Sequence, residues 1–277
     1  MVSTFAFVFS SGLRTRIGDL KYFGSRKGLL LKSLLSVDIL VPLITIALII
    51  LIRPPKATAI GLLLLASSPA SPTVLKNITK ASGKTEYAMS LNIVLASLAI
   101  LTTPATLAIL SSVSELQIGI SPLAVAGPVG LSILMPITAG IAIRWLFPAL
   151  AEYIIQPMEI LSNVLLILVF VLVLLFTYRL LLMFDIRSYL VIALMTIGSM
   201  VSGHLLASRL PDEQTTLAIE SASRNTGLAL LIVSDFASLG QAMPVLIPYL
   251  ITSAVIGFFY VRYRKMKRAA ANSAVSD

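Results

Sequence analysis

Apolar stretches recur along the chain, with short polar or basic stretches between them. They fall at about residues 1–13, 29–52, 57–82, 87–110, 122–147, 158–182, 189–208, 215–236 and 243–263. A helix needs about 20 apolar residues to cross about 30 Å of hydrocarbon, and most of these stretches reach that length. The pattern therefore predicts nine membrane helices, the first of them short, and an all-α integral membrane protein.

Two of the nine stretches are interrupted by polar residues. The third begins as a uniform apolar helix and then passes through residues 67–73, which include Pro69 and Pro72 among four hydroxyl residues. Proline removes a backbone donor and disfavours helix at the preceding residue, so a discontinuous helix lining a cavity is predicted here. The eighth stretch carries Glu220, Arg224 and Asn225 in mid-segment. Ionisable residues at that depth are costly, usually paired, and usually functional.

The composition agrees with a membrane protein and argues against several other classes. The chain has 277 residues, of which 57% are hydrophobic and 12% are charged, whereas soluble domains are about one quarter charged. It has no cysteine and a single histidine, which argues against disulfides and a structural zinc site. The net charge of +9 does not indicate nucleic-acid binding, because the basic residues cluster between and after the apolar stretches.

The distribution of basic residues predicts the orientation in the membrane. Loops after the first, third, fifth and seventh helices, together with a basic tail at 262–277, carry most of the lysine and arginine. Under the positive-inside rule these segments are cytoplasmic, which places the N-terminus outside. We expect a bacterial inner membrane location for the protein.

The helices also suggest an internal repeat within a single transmembrane domain. Residues 1–112 and 150–265 each contain four helices, the third of which is interrupted, and a linking helix at 121–147 joins them. Because four helices and one linking helix precede it, the second set begins on the opposite side of the membrane and has the opposite orientation. Inverted repeats with discontinuous helices in equivalent positions are typical of secondary transporters, with the binding site near the midplane where the breaks meet.

These segments resemble the bile acid:sodium symporter family. The resemblance rests on residues 68–71 leading to Gly83 and Thr103-Pro104, on Glu220 with residues 225–229, and on the Gly12-Leu13 pair. It implies a panel of helices one, five and six, and a core in which the two broken helices cross. It also implies an organic anion as substrate and two sodium sites behind the crossing.

Several positions depart from the pattern of that family. Where it has polar sodium ligands, this chain has Val74 and Leu75, then Ala88 and Asn92, and a glutamine position is occupied by Arg224. Valine and leucine side chains offer no oxygen to a hard cation. We therefore hypothesise that Arg224 replaces a sodium ion and pairs with Glu220, one turn away if the segment is helical. Transport would then be sodium-independent, or coupled to protons or exchange through Glu220 or Asp38.

The candidate substrate- or ion-binding residues are Asp38, Ser68, Ser71, Thr73, Asn92, Glu220, Ser223, Arg224, Asn225 and Thr226. No metal site or cofactor is expected, and sodium is doubtful for the reasons given. Structural alternatives are a simple Glu220–Arg224 ion pair, a helix cap at Asn225 and an interhelical hydrogen bond at Asn92. An intramembrane enzyme and a channel are competing functions, but the sequence carries neither a nucleophile motif near its one histidine nor a filter-like repeat.

Overall fold

A computed structural model of the chain describes residues 2–15, 18, 22–24, 26–113, 122–182 and 184–276. Every element that it assigns there is helical. Arg16 and Lys21, which belong to the basic loop after the first predicted helix, lie outside the described residues.

The helices follow the predicted stretches closely. Their bounds are α1 Val2–Arg14, α2 Lys27–Ile52, α3 Lys56–Ser67, α4 Leu75–Lys80, α5 Thr85–Val113, α6 122–146, α7 Pro148–Leu182, α8 Ile186–Leu206, α9 Pro211–Ala222, α10 Thr226–Asp235 and α11 Leu246–Ser276. Short 3-10 turns cover Pro72–Val74 and Ala237–Val245. Two helix ends differ from the prediction: α7 begins at Pro148 and not near residue 158, and α11 continues through the basic tail.

The chain is a multi-pass integral membrane protein. Five helices of the described part are long and apolar enough to cross a bilayer: Lys27–Ile52, Thr85–Ile109, Ala124–Leu146, Ile186–Leu206 and Gly240–Ala270. Two shorter apolar helices, α3 and α10, are halves of the interrupted segments. Large apolar side chains remain exposed on these helices, as expected for surfaces that face lipid.

Both predicted interruptions are present, and they lie against each other. The first separates α3 from α4, and the second separates α9 from α10. The two extended stretches form an antiparallel bridge in which Ser71 N donates to Ser223 O at 3.0 Å and Asn225 N donates to Pro69 O at 2.9 Å. Backbone groups that leave a helix inside a membrane need such partners, because no water satisfies them there.

Helix α2 contains a π-helical turn at Leu35–Leu40 that the sequence analysis did not predict. Its cause is Pro42, which has no N–H to give to a carbonyl in the preceding turn. The amide of Val41 bonds to Ser36 O, five residues back, so the carbonyl of Val37 loses its usual helical donor. A backbone acceptor therefore becomes available in the middle of a membrane helix.

Two sets of helices make the most extensive contacts. Helix α1 packs mainly on α6 and α7, which are the members expected for the panel, while α8 packs on α9, α11 and α2. Glycine allows α1 and α6 to approach closely, since a Cβ on Gly12 or Gly140 would overlap the backbone of the other helix. The same holds for Gly203 of α8 against Leu217 of α9. The inverted-repeat relation between the two halves stays a prediction.

Candidate functional site

A cavity of about 180 Å3 lies where the two breaks meet, between α1 and α11. Six of the ten candidate residues line it: Ser71, Thr73, Ser223, Arg224, Asn225 and Thr226. The structure therefore brings together polar residues from two segments that are about 150 positions apart in the sequence. The other four candidates, Asp38, Ser68, Asn92 and Glu220, do not line this cavity.

The lining of this central cavity is rich in hydroxyl and amide groups. The hydroxyls of Ser71 and Thr73 are 2.9 Å apart. Asn225 caps α10, since its Oδ1 accepts a hydrogen bond from Leu228 N at 3.0 Å. The capping role expected as an alternative is thus present, and the same residue also borders the cavity.

The guanidinium of Arg224 binds backbone carbonyls at the end of α3. Its Nε donates to Ser68 O at 3.1 Å and to Leu65 O at 3.3 Å, and its Nη2 contacts Ala66 O at 3.5 Å and Ser68 O. The last carbonyls of a helix have no partner within the helix and carry its negative partial charge. A buried cation at this end is therefore stabilised by the broken helix itself, and Arg224 is only 3% exposed.

The same guanidinium also reaches α2. Its Nη1 donates to Val37 O at 3.2 Å, which is the carbonyl that Pro42 and the π-helical turn set free. Arg224 thereby joins three separate elements: the break that carries it, the end of α3 and the middle of α2. A rigid fork of donors suits this role better than the single point of a lysine ammonium.

The predicted ion pair between Glu220 and Arg224 is wrong. The two residues form no ion pair within 4 Å, because α9 ends at Ala222 and the extended backbone that follows removes Arg224 from the helical register. Instead Glu220 Oε1 accepts a hydrogen bond from Asn92 Nδ2 at 2.7 Å, which is the interhelical bond expected as an alternative for Asn92. Glu220 Oε2 is buried without a hydrogen-bond partner.

Asp38 and Ser68 have different surroundings from those expected of ligands in the cavity. Asp38 lies in the π-helical turn and makes no ion pair with Arg224 within 4 Å; its neighbour Val37 supplies the contact through its backbone. Ser68 is fully buried, and its hydroxyl donates to Leu64 O at 2.8 Å, so the side chain helps to end α3. Its carbonyl, and not its hydroxyl, holds Arg224.

Tyr249 is a site residue that the sequence analysis missed. Its hydroxyl accepts from Arg224 N at 2.8 Å and donates to Ala222 O at 2.9 Å, so it bridges the second break. It also lines the central cavity. The available signal was a tyrosine within an apolar helix, since a buried tyrosine hydroxyl usually has a specific hydrogen-bond partner.

A second cavity of about 410 Å3 lies between α1, α7, α4 and α5. Arg14, Lys76 and Lys80 contribute positive charge to its lining, and Glu159 is the acid there, paired with Arg14. Thr73 borders both this cavity and the central one. The two spaces are therefore neighbours, and the larger has an excess of basic side chains.

A polar cluster ties the first turn of α9 to the segment before α2. Glu213 accepts a hydrogen bond from Tyr22 at 2.7 Å and also contacts Arg26 and Ser208. Burial alone would raise the pKa of Glu213, but the hydrogen bonds from Ser208 and Tyr22 and the charge of Arg26 bring it below its usual value. The cluster therefore keeps Glu213 ionised and holds the start of α9 in place.

Comparison with known families agrees with this architecture. The model of the sodium bile acid symporter family matches residues 1–184. The chain belongs to this family. Among curated proteins, none matches the chain. The family is one of transporters of the bile acid and sodium symporter kind, so membership confirms the resemblance given above.

The family match covers α1 to α7, including the first break and the helix that carries Asn92. Residues 185–277 lie beyond it, and they include Glu220, Arg224 and Asn225. The resemblance of that second segment to the family, and the roles it implies for these residues, stay predictions.

Proposed function

We propose that the protein is a secondary active transporter that moves a small organic anion by alternating access and does not require sodium. The observation that supports this most directly is Arg224, whose guanidinium lies on the carbonyls at the break of α3 beside a hydroxyl-lined cavity. In this proposal the permanent cation of Arg224 takes the place of the mobile cation that the family resemblance implies.

The charge around the two cavities favours an anionic substrate. Arg14, Lys76 and Lys80 surround the larger space, and α10 begins at the central one with Thr226 and Gly227. The start of a helix carries a partial positive charge and free amide donors, which stabilise a carboxylate or a similar group. In this proposal the anion enters through the larger cavity and reaches the hydroxyls of Ser71 and Thr73.

The residues at the positions where the family has sodium ligands support sodium independence. Val74 and Leu75 offer only apolar side chains, and Asn92 is engaged with Glu220. A hard cation prefers several oxygen ligands, and the carbonyls best placed to supply them already bind Arg224.

The charged side chains near the crossing of the two breaks suggest how a proton could replace sodium in coupling. Arg224 supplies one fixed positive charge, and two acids, Glu220 and Asp38, belong to the elements that surround it. If Arg224, Glu220 and Asp38 were all ionised, these three groups would carry a net negative charge, which is costly inside a membrane. One proton shared by the two acids restores neutrality, and its uptake and release can drive transport or accompany exchange.

The proposal can be tested by counterflow in proteoliposomes loaded with one organic anion from a panel of carboxylates. We expect saturable exchange that is equal in sodium and in potassium buffers, and uphill uptake that collapses with a protonophore if protons are coupled. Arg224→Gln should abolish exchange, whereas Arg262→Gln, which removes an exposed charge on α11, should preserve it. Saturable dependence on sodium would overturn sodium independence, and ohmic flux would indicate a channel instead.

A further inference from the structure

A cleft of about 740 Å3 opens at the end of α4 and the start of α9, which are the ends of the broken helices away from their crossing. Three elements enclose it: the turn after α4, the start of α9 and the extension of α11. Its lining consists of Thr79, Ala81, Ser82, Gly83, Pro211, Asp212, Gln214, Arg264, Lys267 and Arg268. Neither the transport proposal nor the family match assigns a role to this space.

Hydrogen bonds hold the three walls of the cleft together. Lys84 N donates to Thr216 Oγ1 at 2.7 Å and so ties the turn after α4 to α9. Arg264 is buried, and its Nη2 donates to Pro211 O, which ties α11 to the same helix. The shape of the cleft is therefore set before any ligand arrives.

The charge of the cleft is strongly positive. Arg264, Lys267 and Arg268 are three and four residues apart, so they share one face of α11. Asp212 is the acid in the lining, and one of its oxygens accepts from Glu213 N at 2.9 Å. Three basic side chains against one acid leave an excess of two positive charges, and arginine and lysine together suit a phosphate group.

The surface beside the cleft is apolar. Phe259 and Tyr263 are 63% and 55% exposed on α11, and Tyr263 precedes Lys267 by one helical turn. Exposed aromatic residues followed by basic residues mark the level at which a membrane helix passes from acyl chains to headgroups. A ligand that carries both a phosphate and acyl chains matches the two surfaces together, whereas a soluble phosphate matches only the cleft.

We propose that this cleft binds the phosphate headgroup of an anionic phospholipid whose acyl chains lie along the exposed aromatic surface of α11. Basic pockets between membrane helices on the cytoplasmic side are suited to such headgroups. The bound lipid would bridge α4, α9 and α11, and would therefore hold one half of each broken helix.

The test uses the purified chain in a neutral detergent, titrated with phosphatidylglycerol, phosphatidylcholine or inorganic phosphate. Native mass spectrometry counts the bound lipids, and the thermal unfolding midpoint reports stabilisation. The variant K267Q/R268Q removes two charges from the cleft, and R262Q/K265Q removes two exposed charges from other faces of the same helix. Arg264 is left intact because it also supports α9.

We expect phosphatidylglycerol to bind and stabilise the wild type and the R262Q/K265Q control alike. The K267Q/R268Q variant should bind it about 25-fold more weakly, at roughly fivefold per basic residue. An equal loss in both double variants would overturn the proposal, since it would indicate general attraction to the basic helix. Equal stabilisation by inorganic phosphate would overturn the lipid assignment, and equal binding of phosphatidylcholine would overturn a role for the charge.

Discussion

Replacing Arg224 by methionine tests the central interaction of the site. Methionine has a similar length and no charge, so the change removes the guanidinium and keeps most of the side-chain volume. The carbonyls of Val37, Ala66 and Ser68 then lose the donor that they have in the structure. The fourth acceptor, Leu65 O, keeps the amide of Ser68 as a donor. For Val37 no helical amide can take over, because the amide of Val41 is already bonded to Ser36 and the next residue is Pro42.

The magnitude follows from those three acceptors. A buried polar group left without a partner costs about 1–3 kcal/mol, and the lower end applies where water from a nearby cavity can reach the group. Three carbonyls at roughly 1 kcal/mol each give a loss of about 3 kcal/mol. For a chain of this size each kcal/mol corresponds to about 2–4 °C, so the unfolding midpoint should fall by roughly 6–12 °C.

The assay is thermal unfolding of the purified protein in detergent, with Arg262→Met as the control for loss of an arginine at an exposed position. Arg224→Lys should fall between the wild type and Arg224→Met, because an ammonium keeps the charge but lacks the planar fork. If Arg224→Met and Arg262→Met unfolded at the same temperature, the guanidinium would not be holding the broken helix and the reasoning would be refuted.

Three further predictions concern packing, charge and the buried carboxylate. Gly203→Leu should reduce the yield of folded protein, because the new side chain overlaps the backbone of the facing helix, whereas Gly257→Leu should express normally since nothing lies within 4 Å of its Cβ position. Glu213→Gln should lower the unfolding midpoint at neutral pH. Because the folded carboxylate has the lower pKa, its stabilisation is complete above the unfolded pKa of about 4.3. The difference from wild type should shrink below that pH and vanish once the folded carboxylate is protonated. Asn92→Leu should cost about 1–3 kcal/mol, and in a double-mutant cycle with Glu220→Gln the two losses should not add, which unfolding midpoints of the four proteins would check.

The interruptions were predictable because their causes are local in the sequence. Pro69 and Pro72 remove donors within four residues of each other, and Asn225 is a residue type that caps helices. Hydrophobic length placed the membrane helices for the same reason, since it depends only on neighbouring residues. The clustering of Ser71, Thr73 and Ser223 around one cavity also followed from the expectation that the two breaks meet.

The partner of Arg224 was not predictable from spacing. The expected pair with Glu220 assumed that residues 220–224 form one continuous helical turn, and the break that the same polar residues predict removes that turn. The acceptors that Arg224 does use are backbone carbonyls, which carry no sequence signal. Pro42 was the one visible sign on α2, and its effect on Val37 becomes clear only when the amide of Val41 is seen to bond five residues back.

A cation that is covalently attached changes what the crossing of the broken helices can do in a transport cycle. A bound sodium ion leaves the site in one state and returns in another, so its occupancy can couple to motion. Arg224 cannot leave, and in this structure its bonds to Ser68 and Val37 link the two breaks and α2. In the transport cycle proposed above, this linked core would then move as a body against α1, α6 and α7, whose contact through Gly12 and Gly140 is equally close. Under the proposed function, the energy for that motion would come from the gradient of the anion itself or from protons exchanged at Glu220 and Asp38.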